Sequence, residues 1–322
     1  MTLASHFIMQ VNVFELCFKA SRLACNAIKN KKPNFFTANN EHQPKGKKMA
    51  KLALVKAVLL GAIMAPMFTL TAHADQSSIW DKARASGKLR CGAAVIAPYV
   101  SLKPETKVYS GFFSELCKEF AETVLNVKPE FVDTNWDNIV AGVQSNKWDL
   151  AMALNQTPTR AMAVGFSEPV VDYEISFTFN AENPKLKGVG KSFSDFDKKG
   201  ITFVVISGTA MDKSLSTAVK NAMITRLSGV DETRLALMSK RADVLVDTTD
   251  SNNLFRLKNK DWVTDIKPEP ALSKQGIAFG LPRNTSYADL EVLNIFIREK
   301  KAKGEIAALV DKASQEYLDE TK

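Results

Sequence analysis

The 322-residue chain carries 43 Lys or Arg against 35 Asp or Glu, a formal net charge of +8. Ten of those basic and two of those acidic residues fall within residues 1–74, so Asp75 to Lys322 holds 33 of each, and a formally neutral unit has no global field to draw nucleic acid or an anionic membrane surface. All three histidines, His6, His42 and His73, also precede Asp75, which excludes Ser/His and Cys/His nucleophilic catalysis from the remaining 248 residues and removes the commonest transition-metal ligand.

The first element expected is a secretory signal. In "KGKKMAKLALVKAVLLGAIMAPMFTLTAHADQ" a basic start precedes an apolar run from about Leu52 to Leu70, and Ala72, His73 and Ala74 give a small-x-small ending, so cleavage is expected after Ala74. Lys56 and Pro66 interrupt the run, which disfavours a membrane anchor. Met49 has its own basic start and is the expected initiation site. Residues 1–74 are therefore expected to be an extension plus signal peptide, and the product to be free in the periplasm.

Two cysteines follow, Cys91 and Cys117, in a chain directed to an oxidising compartment. They read as one disulfide, worth about 3 to 4 kcal/mol by loop entropy, with a metal or redox pair as the alternative.

Strand and helix signals then alternate. "KLRCGAAV" reads as a strand, and "FFSELCKEFAETVL" as a helix with Phe113, Leu116, Cys117, Phe120, Ala121 and Val124 on one apolar face. "KPEFVD" is the next strand. "TNWDNIVAGVQSNKW" reads as a helix capped by Thr134 and Asp137, burying Trp136, Ile139, Val140 and Val143, and "DLAMAL" as the strand that follows it. The alternation recurs through "ITFVVI", "MDKSLSTAVKNAM", "ITRLS", "DETRLALMSKR" and "ADVLVDTT". Two α/β lobes built on parallel strands follow, with ligands expected at the strands' carboxyl ends. "QGIAFGLPRN" and the helical "YADLEVLNIFIREKKAKGEIAALVDKASQEYL" imply a return to the first lobe. The expected division is 75–180 plus 276–322 for the first lobe and 181–275 for the second, hinged about a cleft.

One residue is out of place in this pattern. Thr157 is positioned to cap a helix and Pro158 to open it, which puts Arg160 in the first turn, where a cation opposes the helix dipole by a few tenths of a kcal/mol. An arriving anion would turn that cost into a site, meeting a two-pronged guanidinium and free backbone N–H groups together.

The runs "YSGFFSELCKEFAETVL", "TNWDNIVAGVQSNKWDLAMAL" and "TPTRAMAVGFSEPV" resemble, in that order, three motifs of the polar amino-acid-binding family of periplasmic solute-binding proteins, family 3, which serve ABC importers. These motifs are a G-F-x-x-D/E-L helix start, a W-D-x-x-I/L unit ending in K-x-D, and T-x-x-R-x-x-x-V-x-F-S-x-P-Y. The resemblance covers residues 84–318. It implies an α/β, type II periplasmic-binding-protein fold with hinged lobes and a ligand cleft between them, an inner-membrane permease as partner and a monomeric protein; no metal or cofactor is expected, since the carboxylates are scattered without calcium-loop spacing and "SGTAMDKSL" lacks the Gly-Lys-Ser/Thr ending of a phosphate loop. It also implies that Arg160 holds a ligand carboxylate with help from Thr209, and that Asp247 holds the ligand's ammonium.

The chain departs from the family in two places. Ala153, Leu154, Asn155 and Gln156 stand where a small residue and a Ser or Thr are usual, leaving Asn155 as the hydrogen-bond donor beside Thr157. "VIAPY" is one residue short, so that Ile96 or Tyr99 either lines the pocket or packs in the core. Two other functions are consistent with such a scaffold. A dehydratase resembling cyclohexadienyl dehydratase would draw its acid from Glu168, Glu174 or Asp247. A periplasmic sensor or accessory module would bind without transport.

Overall fold

The computed structural model describes residues 78–103 and 105–320; the expected signal peptide and start site lie outside them. Helix α1 (Ile79–Ser86) leads into strand β1 (Lys88–Ala94), followed by the short pair β2 (Ser101–Leu102) and β3 (Tyr109–Ser110). Helix α2 (Phe112–Glu119) continues as a π-helical turn over Phe120–Leu125, then come β4 (Lys128–Thr134), α3 (Ile139–Gln144), β5 (Leu150–Asn155), α4 (Pro158–Ala161) and β6 (Val164–Phe166). After the ten-residue β7 (Val171–Asn180) stand α5 (Phe193–Phe196), β8 (Thr202–Ile206), α6 (Ala210–Ala218), β9 (Met223–Leu227), α7 (Val230–Met238) and β10 (Val244–Thr248). The remaining elements are α8 (Thr249–Lys258), β11 (Val263–Ile266), β12 (Lys274–Pro282), α9 (Tyr287–Ala302) and α10 (Glu305–Glu320).

Hydrogen-bonded strands run in the order β4-β1-β5-β12-β7-β10-β8-β9. Both ends of this path are parallel, β1 pairing with β4 and β5, and β8 with β9 and β10, as strand–helix–strand alternation dictates. The centre is antiparallel. Strand β7 pairs with β12 through Val171–Glu174 and then with β10 through Ile175–Phe179, so one continuous strand leaves the first half of the sheet and enters the second. Its apolar residues Tyr173, Ile175, Phe177 and Phe179 alternate with polar ones; Phe177 sits in a cluster of Phe193, Phe196 and Phe203, and on the other face Ser176 and Thr178 are buried as well, Ser176 accepting from Asn252 Nδ2.

Most expected elements are present, with one clear difference. The segment expected as a helix from Thr134 to Trp148 is strand to Thr134, a turn held by Asn135 Oδ1 accepting from the Asn138 amide, and a helix of only six residues. Asp137 makes no cap there; its carboxylate accepts from Ser207 Oγ at 3.2 Å. The helix is closed off at Asn146 (φ +55°), where the Asn146 and Lys147 amides close on the Val143 and Gly142 carbonyls, and Trp148 folds its indole back over Gly142, where a Cβ would collide with the ring, donating Nε1–H to the Ile139 carbonyl at 3.2 Å. Cys91 on β1 and Cys117 on α2 are joined in a disulfide, both buried.

Candidate functional site

Several elements converge at the carboxyl ends of β1, β5, β8 and β10. After β1 the chain makes a tight loop in which Gly111 (φ +94°) lies so close that a Cβ would meet the carbonyl oxygens of Tyr99 and Pro98 at 2.7 and 2.8 Å. That loop holds Tyr99, buried against Phe112 and Phe113, with its hydroxyl donating to Asp250 Oδ2 at 2.7 Å. Burial, reinforced by Asp250, pushes the Tyr99 phenol well above its ordinary range, so it stays a neutral donor.

Arg160 is held from the opposite side. Thr157 caps α4 by accepting from the Arg160 amide at 3.2 Å, and Pro158 opens the helix. The guanidinium then reaches across, Nη1 donating to the Asn155 carbonyl at 3.5 Å and Nη2 to the Gly208 carbonyl at 3.2 Å in the turn after β8. Gly208 (φ +73°) lets this turn lie against Asp137, whose amide nitrogen a Cβ there would meet at 2.7 Å. Among the described residues no carboxylate pairs with Arg160, and burial lowers its pKa to about 10.

Between these elements lies a cavity of about 10 Å³. Ile96, Tyr99, Trp136, Ala153, Met211 and Ile277 supply its apolar walls, and Asn155, Thr209 and Thr248 its polar ones. That volume suits about one water molecule, whereas small-molecule pockets run to about 300–1,000 Å³, so a ligand enters only when the walls part. Trp136 also borders a larger groove of about 780 Å³.

Of the residues singled out in the sequence, Tyr99, Asn155 and Thr209 line the cavity, and Ile96 lines it as well. Arg160 does not line the cavity; it lies behind Asn155, which does, and reaches from the Asn155 carbonyl to the Gly208 carbonyl. Thr157 acts as a cap. Thr209 uses its hydroxyl in both senses, donating to the Ile206 carbonyl at 2.7 Å and accepting from the Asp212 amide at 3.1 Å. The structure does not bring Asp247 to the wall: its Oδ1 accepts from the Thr248 amide at 2.7 Å and its Oδ2 from Ser251 Oγ at 2.8 Å. Burial raises its pKa, against the pull of Arg234 and these two hydrogen bonds. Thr248, one residue further on, is the wall residue, and neither it nor Trp136, Met211, Ala153 and Ile277 was singled out for the site by sequence. Thr248 carries a signal in retrospect, as the last residue of an apolar strand and the cap of the next helix.

Two α/β halves joined through central antiparallel strands, with a closed cleft at the strands' carboxyl ends, define a two-lobed binder of small molecules. The model of the bacterial extracellular solute-binding proteins, family 3, matches residues 89–316, and the chain belongs to that family. Its relatives include a probable amino-acid ABC transporter-binding protein of Haemophilus influenzae, 32% identical over 38% of this chain and 45% of the relative. Another is an octopine-binding periplasmic protein of Rhizobium meliloti, 29% identical over 46% of this chain and 56% of the relative. The chain thus spans about half the length of the curated relatives it matches. Among solved structures, an ancestral amino acid-binding protein described as a precursor of cyclohexadienyl dehydratase is similar over 73% of this chain and 99% of its own, at 26% identity and a TM-score of 0.64. An amino acid ABC transporter substrate-binding protein of Streptococcus pneumoniae bound to L-arginine shares the fold, at 21% identity, a TM-score of 0.66 and coverage of 74% and 98%.

Proposed function

We propose that the protein captures a small carboxylate, an amino acid or a related acid, between its two lobes in the periplasm and delivers it as a monomer to an ABC permease. In this reading the segment before Asp75 directs secretion and is removed after Ala74, residues 75–180 and 276–322 form the first lobe, and 181–275 form the second. Arg160 holds the ligand's carboxylate, with Asn155, Thr209 and Tyr99 around it and Thr157 fixing the turn. The observation that carries this is the guanidinium itself: it is half-buried, desolvation lowers its pKa to about 10, and among the described residues it donates only to main-chain carbonyls. A buried cation without an anion is costly, and a ligand carboxylate removes that cost.

Binding is favoured over elimination chemistry because each acid that could serve as a proton donor is engaged elsewhere. Glu168 is paired with Arg298, Glu174 with Lys267 at 3.1 Å, and Asp247 with Ser251. None of the three lines the cavity.

The test is a thermal-shift screen of protein refolded from denaturant to strip bound ligand, against amino acids, small carboxylates and amines. A carboxylate that raises the melting temperature should lose well over tenfold in affinity in Arg160→Ala, because its buried charge is left unpaired. Affinity unchanged in that variant would refute the assignment of Arg160. If no small molecule shifts the transition, the sensor or accessory reading takes its place.

A further inference from the structure

Building on the reading of Arg160 as the holder of a ligand carboxylate, we propose that Tyr173 is a further ligand-binding residue: its hydroxyl, carried on the strand that passes from one half of the sheet to the other, donates to the carboxylate that Arg160 holds.

The register of β7 fixes which way the ring points. Val171 pairs with Ile277 of β12, Tyr173 with Gln275, and Ile175 with Thr248 of β10. Paired residues of an antiparallel ladder lie on the same face of the sheet, and so do residues two apart along a strand. Ile277 and Thr248 both line the cavity, so Tyr173, between them on the same face, is turned to the cavity side. It is 2% exposed and, like Arg160, is not itself part of the wall in the closed form. The same parting of the walls that admits a ligand gives it access to both side chains.

The hydroxyl is a donor that lacks an acceptor. Among the described residues it has no hydrogen-bond partner, and the same holds for Asn155 Nδ2, which stands in the wall. A buried polar group without a partner is costly, and phenylalanine would fill the same space without that cost. Burial pushes the Tyr173 phenol well above its ordinary range; Asp247 adds to the shift and Arg160 opposes it. The hydroxyl is therefore a neutral donor within electrostatic reach of the Arg160 guanidinium. A carboxylate has two oxygens and about four lone-pair sites, enough to accept two N–H groups from Arg160 and the O–H of Tyr173 together.

The test is isothermal titration of the full-length protein, refolded from denaturant to strip bound ligand, with the common L-amino acids, pyruvate and acetate. Tyr173→Phe should lose about tenfold or more in affinity for every one of these that binds the parent, because a hydrogen bond to a charged group is removed and the carboxylate is the part they share. The empty variant should unfold at the parent's temperature or above it, since the hydroxyl it lacks has no partner to lose. An empty Tyr173→Phe that melts lower or fails to fold makes the hydroxyl part of the scaffold and overturns this inference. Undiminished affinity in Tyr173→Phe alongside a loss in Arg160→Ala also overturns it and leaves the carboxylate reading standing, as does a loss confined to one ligand side chain. Failure of every acid to bind the parent, or unchanged affinity in Arg160→Ala, overturns the reading beneath it as well.

Discussion

If Arg160 is a cation waiting for an anion, removing its charge should strengthen the empty protein. Burial brings its pKa down to about 10, and a fall of that size amounts to about 3 kcal/mol against the charged form at neutral pH. Opposing this are the two hydrogen bonds to main-chain oxygens, at 3.2 and 3.5 Å, which at those lengths contribute together about 1 to 2 kcal/mol. Arg160→Met keeps the length of the side chain and drops the charge. The ligand-free variant should therefore gain about 1 to 2 kcal/mol, or roughly 2–8 °C in melting temperature for a domain of this size. Urea unfolding followed by tryptophan fluorescence measures it, with an unchanged slope confirming the same transition. The same variant should show no stabilisation by a carboxylate that stabilises the parent. A loss of 1 kcal/mol or more in the empty variant would refute this reasoning and make Arg160 a structural strut between the lobes.

Three further outcomes are expected. Replacing Cys91 and Cys117 together by Ala opens a link between residues 26 apart and should cost about 3 to 4 kcal/mol in urea unfolding; a midpoint unmoved would show that the core alone holds β1 to α2. Tyr317 carries α10 onto the second lobe, its ring 4.0 Å from Lys258 Nζ and 5.3 Å from the Arg234 guanidinium carbon. Tyr317→Ala should remove about 1–2 kcal/mol from that contact and weaken ligand binding roughly three- to tenfold by titration; equal affinity would mean that the contact persists when the lobes part. Asp197 is desolvated, which raises its pKa, but amide hydrogen bonds from Ala222, Asn221 and Lys220 outweigh this and hold it below the ordinary carboxylate range. A depressed carboxyl contributes stability above its unfolded pKa and loses it as pH falls through the folded one. The parent's advantage over Asp197→Asn should therefore shrink between about pH 5 and pH 2, and an advantage independent of pH would refute the assignment.

How much of this could be read from the residues differs from element to element. The parallel ends of the sheet are legible because apolar runs and helical periods alternate there with clear punctuation. The turn of Arg160 is legible because Thr157, Pro158 and the arginine form a local pattern that needs no tertiary partner. Strand β7 is less so: "VDYEISFTFN" alternates apolar and polar residues as a strand with one wet face would, yet Ser176 and Thr178 are buried, and the alternation does not reveal that it changes partners at Ile175. The shortened α3 depends on the Asn135–Asn138 turn before it and on Asn146 in the left-handed region after it, local choices that the apolar spacing of Trp136, Ile139 and Val143 does not reveal. Asp247 and Thr248 differ by one step along a strand, and one step turns a side chain to the opposite face, so that Thr248 and not Asp247 lines the cavity follows from pleat and not from residue type.

The placement of charge also bears on what closes the cleft. In the closed form Arg160 reaches the Gly208 carbonyl and the Tyr99 hydroxyl reaches Asp250, each linking segments on opposite sides of the cavity. A neutral ligand would leave the guanidinium buried and unpaired in that form, whereas in an opened cleft water solvates it. A carboxylate changes the balance, because its attraction to Arg160 is strongest where water is excluded, and so it stabilises the closed form more than the open one. Closure therefore responds to the ligand's negative charge through Arg160, and a neutral amide of the same acid should bind weakly and leave the lobes apart.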